Sequence, residues 1–454
     1  MRQKREAVLH FAVIDSGQLK IVAEYEEKYK RLSNRLDEHP ELVTLVHRDL
    51  QKLSQGGPKG RKGDFTSENI FRTLIVMTIE GLPLRKAVVR IAHSPFLQDF
   101  ARLVDGRVMD YSFLDKCFHA IQPETWQKIN HVLARQAAEE GIIDPSKNRT
   151  DTTVVEANIH YPTDSSLLWD SWRVTARLLR RARKRCRYPL FHRFHDTKVK
   201  ALHLFITRYA ASPSKERQQE VRSKFRTLLE RVRWIAYIAE SFCADVAGTT
   251  DIDLLAIAKE LRDFLPSIHT VIETAERAGL RGEKVPASER VFSIFEPHVE
   301  LIKRGKRSKP VEFGHKVVLS QVQGKFITYV EPLEVQEPDN EQTEPALEKH
   351  KRTFGTYPDM MAGDKGMNPC AEKRAKLEAK VKVLAIPRKL SDWGEEGMVE
   401  WQGFRAGIEG TISVLKRAFR LARCLFRGFK HFAAAVGLSV VCHNLVVLAA
   451  HGTA

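Results

Sequence analysis

Apolar positions along the chain change period twice, from helical to alternating and back. Residues 18–54 place Leu, Val and Tyr at helical spacing within a charged background and predict one helix. The run GGPKGRKGD (56–64) is a basic, Gly-rich linker. Thr66 or Ser67 then caps a helix through FRTLIVMTIEG that stops at Gly81, with Pro83 following. A second helix covers Lys86–Ala92, Ser94-Pro95 breaks it, and a third starts near Phe96. Asp110 or Ser112 caps another, through FLDKCFHAI. Short helices with tight turns predict a helix-turn-helix-like bundle at about 65–140.

The register changes at RTDTTVVEANIH (149–160), where Thr and Val alternate with polar residues as in a strand. Helical spacing returns over 167–280, with RVTARLLRRARKRCR (173–187) as the densest cationic block and a long amphipathic helix over 218–240. Strands are predicted at 314–322 and 324–331, forming a hairpin, and at 358–363 and 381–386. Between them, Glu331 to Lys349 reads as an acidic, Pro-containing loop. From Glu400 the rest reads as helix. The fold class is therefore mixed α/β (α+β), with a helical block inserted after the first core strand. The expected divisions are 1–64, a helical and basic segment with its linker; 65–145, a helical DNA-binding domain; 146–166 with 290–454, the core; and 167–289, the basic helical insertion.

Composition alters this picture mainly through charge. The 454 residues carry 74 Lys+Arg against 57 Asp+Glu, a net charge of +17, which favours a polyanionic partner, above all nucleic acid. Six cysteines stand far apart with no CxxC pair, so neither a structural zinc site nor a disulfide framework is expected. The N-terminus lacks the apolar core of a signal peptide, and the apolar stretch Phe432 to Ala450 is broken by His443 and Asn444, as in a buried helix. These features predict a cytoplasmic protein, nucleoid-associated when bound to DNA.

Three acids stand where the predicted core would gather them. Asp151 lies on the first strand, with Thr153 and Val155 on its face, and Asp364 follows a short apolar strand, where α/β sheets place their chemistry. Glu409 lies on a helix whose Ile408, Ile412, Leu415 and Phe419 form a core stripe. Arg405, Glu409 and Lys416 form a second stripe, within ~40° of one another at 3.6 residues per turn. Any single acid of this kind is by default a surface or capping residue. Together, three carboxylates repel unless a divalent cation relieves them, and oxygen-only ligands suit Mg²⁺ or Mn²⁺. Two such ions ~3.5–4 Å apart serve in-line displacement at phosphorus. Arg405 and Lys416 would hold phosphates.

At these residues the sequence resembles the DDE transposases of bacterial insertion sequences. TDTTVVEAN (150–158) is similar to that family's first-Asp motif, and GDKG (363–366) to its second, an Asp followed by a basic residue, here Lys365, and Gly. RAGIEGTISVLK (405–416) matches the signature Tyr-x2-Arg-x3-Glu-x6-Lys at Arg405, Glu409 and Lys416. Gln402 stands where the family's tyrosine falls, and Met367 where an aromatic often follows the second motif. The resemblance covers about 65–165 and 290–450. It implies an RNase H-like catalytic core and a metal-binding triad of Asp151, Asp364 and Glu409. It also implies cleavage at the element's ends, then strand transfer by the freed 3′-hydroxyl. The partners it implies are double-stranded DNA, both element ends and target, and a second copy of the chain in a dimer or larger synaptic assembly.

Competing readings are a nuclease of related fold that cuts without joining, and a DNA-binding protein from a decayed element. The run Arg180, Arg181, Arg183, Lys184 and Arg185 is expected to contact DNA phosphates, with a solvated face as the alternative. Glu156, on the opposite face of the strand from Asp151, is expected to be structural. His315 is expected in the core or the sheet, and Trp169, Trp172 and Trp234 in helix packing.

Overall fold

The structure, a computed structural model, describes residues 19–53, 64–103, 106–303, 310–389 and 398–451. The linker expected at 56–64 lies outside these residues, except for Asp64. The chain divides into two compact units, one from 1–158 and 314–454, the other from 159–313.

In the first unit the N-terminal segment forms α1 (Lys20–Glu38) and α2 (Pro40–Gln51). The single helix expected over 18–54 breaks because Pro40 lacks an N–H and disfavours helical backbone at His39, which adopts φ −123° and ψ 64°. Next come α3 (Ser67–Ile79), α4 (Leu84–Ala92), α5 (Pro95–Phe100), α6 (Tyr111–Ala120) and α7 (Pro123–Glu139). The caps expected for α3 and α6 are present. The Thr66 hydroxyl accepts from Asn69 N at 3.1 Å, and Asn69 Oδ1 accepts from Thr66 N at 2.8 Å, closing a capping box. Ser94 and Asp110 cap α5 and α6. After α3, Gly81 takes φ +63°, a left-handed conformation that glycine adopts without a Cβ penalty.

The sheet is mixed and six-stranded. Its strands are β1 (Asp144–Glu156), β2 (Glu300–Lys303), β3 (Val311–Gln323), β4 (Ile327–Pro332), β5 (Met360–Ala362) and β6 (Val383–Ala385). The order is β2-β3-β1-β5-β6, with β4 also paired to β3. β1, β3 and β4 run antiparallel, whereas β5 and β6 run parallel to β1. Strand β2 was not anticipated.

Residues 331–349 are not a loop throughout. A 3-10 turn at Asp339–Gln342 leads into α12 (Thr343–Phe354), whose Pro345 sits in the first turn, where a missing N–H costs nothing. A short helix, α13 (Ala371–Glu378), separates β5 from β6. The terminal helix is two helices, α14 (Met398–Ala418) and α15 (Phe429–His451). Among the described residues, α15 is the one helix long and apolar enough to cross a membrane, and most of it is buried within this unit. α3 and α15, apolar almost all round, lie at the centre of one core with Trp126, Val317, Phe326 and Leu415. The helices of 65–139 share that core with the sheet.

The second unit holds α8 (Asp164–Arg185), α9 (Asp196–Tyr209), α10 (Lys215–Asp245) and α11 (Ile252–Ala275) around a separate core that includes Trp172, Leu229, Ile235 and Leu261. Its two ends lie together: the rings of Tyr161 and Phe313 meet edge to face, 5.5 Å apart.

Candidate active site

Register places two of the acids side by side. On β1, Arg149 pairs with Ala362 of β5 in parallel. Asp151 and Asp364 each follow that pair by two residues. β5 ends at Ala362, so β1 runs on past it, and the strand ends are where α/β sheets place their chemistry. Asp364 caps the 3-10 turn Lys365–Met367, its Oδ1 accepting from Met367 N at 3.0 Å. Asp151 Oδ1 accepts from Thr152 N at 2.7 Å.

The acids feel one another's charge. Burial first, then the Asp364 carboxylate and to a lesser degree Glu409, push the Asp151 pKa up to about 6, against opposition from the Thr152 N–H and Arg405. Asp364 is also raised, by burial first and by Asp339, against opposition from the Met367 N–H and Arg405. Asp339 was not foreseen. A Cβ added at Gly366 would stand 3.3 Å from Asp364 Oδ1 and 3.7 Å from Asp339 Oδ2, so both carboxylates flank that glycine. Lys316 Nζ holds Asp339 Oδ1 at 2.9 Å.

Helix α14 is fixed against β1 by a buried arginine that also escaped the sequence reading. Arg149 Nε donates to Gln321 Oε1 at 3.0 Å, and its Nη1 donates to the Phe404 carbonyl at 2.5 Å. Gln321 Nε2 in turn donates to Thr411 Oγ1 at 2.8 Å. The guanidinium fills the space beside Gly407, where a Cβ would stand 2.1 Å from Nη1. Arg149 lies two residues before Asp151 and Gly407 two before Glu409, but neither offset shows in the sequence that the two meet. The expected core stripe of α14 faces inward, with Ile408, Leu415 and Phe419 buried and Ile412 packed against the same core. Arg405 Nη2 bonds Glu409 Oε1 at 2.9 Å, and the Glu409 side chain is 58% exposed.

Among the described residues, no three His, Cys, Asp or Glu side chains stand together as a ready-made metal set. Asp151 and Asp364 fit a hard divalent cation: oxygen donors, partly buried, with charges that a cation would relieve. Glu409 joins them only if it leaves Arg405, and an exposed ion pair of this kind is worth only ~0–1 kcal/mol.

The remaining candidates divide. Lys365 is exposed beside Asp364, and Lys416 is partly buried two turns beyond Glu409 on α14. In the second unit the cationic run is not uniform. Arg180 is held by Asp196 through two bonds of 2.7 Å, and Arg181 by Glu260 at 2.5 Å. Arg183, Lys184 and Arg185 are exposed. His315 is a core residue, its Nδ1 donating to the Leu333 carbonyl at 3.0 Å beside Phe429 and Phe432. Trp172 and Trp234 stack in helix packing, and Trp169 packs against the same core. Glu156 serves structure through its backbone, which pairs with Ala422 and Cys424. Compared with protein-family models, with curated proteins and with solved structures, the chain matches none.

Proposed function

We propose that this chain is a DNA-cleaving and DNA-joining enzyme of the DDE transposase type, built on an RNase H-like core, with Asp151, Asp364 and Glu409 as its carboxylates. The observation that carries this reading is the convergence of three separate motifs. Asp151 on β1 and Asp364 just past β5 stand two residues beyond the same parallel pair, Arg149 and Ala362, and Glu409 and Arg405 of α14 act electrostatically on Asp151. An antiparallel meander of β4, β3 and β1, continued by parallel β5 and β6, supports the core assignment.

The residues divide the work by chemistry. Asp151 and Asp364 would hold Mg²⁺ or Mn²⁺, two ions in all with Glu409, and bound metal would supply Lewis-acid activation for displacement at phosphorus. Arg405 balances the acids until DNA enters, and then has its guanidinium fork to offer a phosphate. Lys365 brings a point charge beside Asp364, and Lys416 brings one two turns beyond Glu409 on α14. Arg149 keeps α14 in register with β1, so that Glu409 meets the aspartates at a fixed height. The working form would be a dimer or larger assembly that brings two DNA ends together.

Purified protein should nick and join a duplex carrying the DNA that flanks its gene, with Mg²⁺ or Mn²⁺ and not in EDTA. Asp151→Asn, Asp364→Asn and Glu409→Gln should each reduce cleavage by at least ~10²-fold, the scale of losing one charge-stabilising group, with duplex affinity little changed. Full cleavage by any one variant removes that residue from the set. Cleavage by the wild type without any joined product would favour the nuclease reading.

A further inference from the structure

A cleft in the first unit lies between the start of α4, the start of α6 and the segment 420–427 that follows α14. Its walls are apolar: Pro83, Leu84, Leu425 and Phe426. Its rim is cationic, with Arg85, Lys86 and Arg427 against one acid, Asp115, which lies 3.6 Å from His119, while Arg420 is partly buried and donates to the Leu82 carbonyl. The Tyr111 ring, 38% exposed, stands at the edge with the Arg85 guanidinium stacked over it at 4.4 Å and bonded to its hydroxyl at 3.1 Å. Leu425, 41% exposed, presents a large apolar side chain to solvent within this ring of charge.

Two requirements fix the ligand's chemistry. The excess of cations demands an anion, and the apolar walls demand flat or greasy surface to cover. An intact duplex meets only the first, because its base faces are stacked away and it offers phosphates and groove edges. An unpaired nucleotide meets both: its base can lie on an aromatic or apolar wall while flanking phosphates meet arginine and lysine. Position agrees. Helix α14 runs nine residues from Glu409 to its end at Ala418, or ~14 Å at 1.5 Å per residue, and the cleft begins just beyond. That is about four steps of a DNA strand at ~3.4 Å each.

We propose that this cleft binds an unpaired DNA nucleotide, with the base against Tyr111 and the Leu425–Phe426 wall and its phosphates on Lys86 and Arg427. The inference deepens the transposase reading and rests on it for the source of the strand, an opened DNA end; binding itself is measured without cleavage.

The probe is a thymidine oligonucleotide carrying one central 2-aminopurine, compared with a blunt duplex of the same length, both titrated with full-length protein in EDTA. Tyr111→Ala should weaken oligonucleotide binding by roughly 5- to 150-fold, the range for loss of one base stack, and abolish the 2-aminopurine emission change. Duplex affinity should move less than about twofold. Tyr111→Phe should restore the emission change, because the ring and not the hydroxyl carries the stack. Far-UV circular dichroism melts establish that both variants fold. Equal losses for oligonucleotide and duplex, or no loss for either, would overturn the proposal. So would binding of an acidic amphipathic peptide that depends on Tyr111 when the oligonucleotide does not, since the cleft would then dock protein. Metal-dependent cleavage by the wild type with Tyr111-independent oligonucleotide binding sinks the cleft and leaves the enzyme reading standing. The reverse pair of results does the opposite.

Discussion

At Asp151, burial and neighbouring charge act in the same direction, and the consequence can be measured without any DNA. Its pKa in the fold is pushed up to about 6, well above the ordinary range of an aspartate. A group raised in this way contributes stability that is complete below the unfolded pKa and lost as pH rises through the folded one. In EDTA, Asp151→Asn should therefore be more stable than the wild type at pH 7.5, by on the order of 2–3 kcal/mol, and the advantage should vanish below about pH 4. Thermal melts across that range test it, and a pH-independent difference would show that the carboxylate is not under charge stress. Mg²⁺ should stabilise the wild type and not the variant. On α14, Gly407 poses a packing question. Its missing Cβ is where the Arg149 guanidinium lies. Gly407→Ala should displace Arg149 from the Phe404 carbonyl and destabilise the protein by ~1–3 kcal/mol, the usual cost of overpacking, read as a lowered urea midpoint with unchanged slope. The same variant should slow cleavage by disturbing the height of Glu409, whereas Gly403→Ala, beside which no atom stands within 4 Å, should do neither.

Elements whose limits are set by local chemistry were legible in the sequence. Thr66 and Asp110 cap the helices they were expected to cap, and the alternation at 149–156 is a strand. Elements whose limits depend on distant partners were not. β2 has four residues and exists by pairing, and α12 begins at a Pro-containing acidic segment that local rules read as loop. Long-range polar links such as Arg149–Gln321–Thr411 and Lys316–Asp339 leave no period to detect. Helix α8 shows the same limit in its charges. The sequence displays five equivalent cations, but Arg180 shares Asp196 with the Trp172 indole and Arg181 is paired with Glu260. Arg183→Gln, Lys184→Gln and Arg185→Gln together should flatten the dependence of log K for DNA on log salt by up to ~0.9 per lost contact. Arg180→Gln should instead lower thermal stability, and leave that slope nearly unchanged. A slope insensitive to the triple variant would assign the exposed run to solvent.

On the scale of the whole chain, the insertion anticipated at 167–289 corresponds to a compact unit of 159–313 with its own core. Its ends meet at Tyr161 and Phe313, and on the other side of the junction Glu156 is paired with Gly314 in the β1–β3 register. A hairpin therefore underlies the insertion: β1 and β3 remain antiparallel neighbours across 155 intervening residues, from 159 to 313. Replacing 157–313 with an Asn-Gly turn, a pair that favours the tight hairpin geometry, should keep Glu156 opposite Gly314 and leave β1 and β3 joined. The shortened chain should fold, and its Asp151 should still stabilise with Mg²⁺, because Asp364 and α14 belong to the same unit. The excised 159–313 should also fold alone, as a helical domain that melts cooperatively about the core containing Trp172 and Leu261. The fragment 65–145 should not. Its Phe71, Leu74 and Trp126 are buried in a core shared with α15 and the sheet, and without Leu445, Val317 and Phe326 that apolar surface would face water. Circular dichroism melts of the three fragments decide this. A cooperative transition for 65–145 would mean that its helices form a separate module, and a shortened chain without one would mean that the insertion is part of the core's stability.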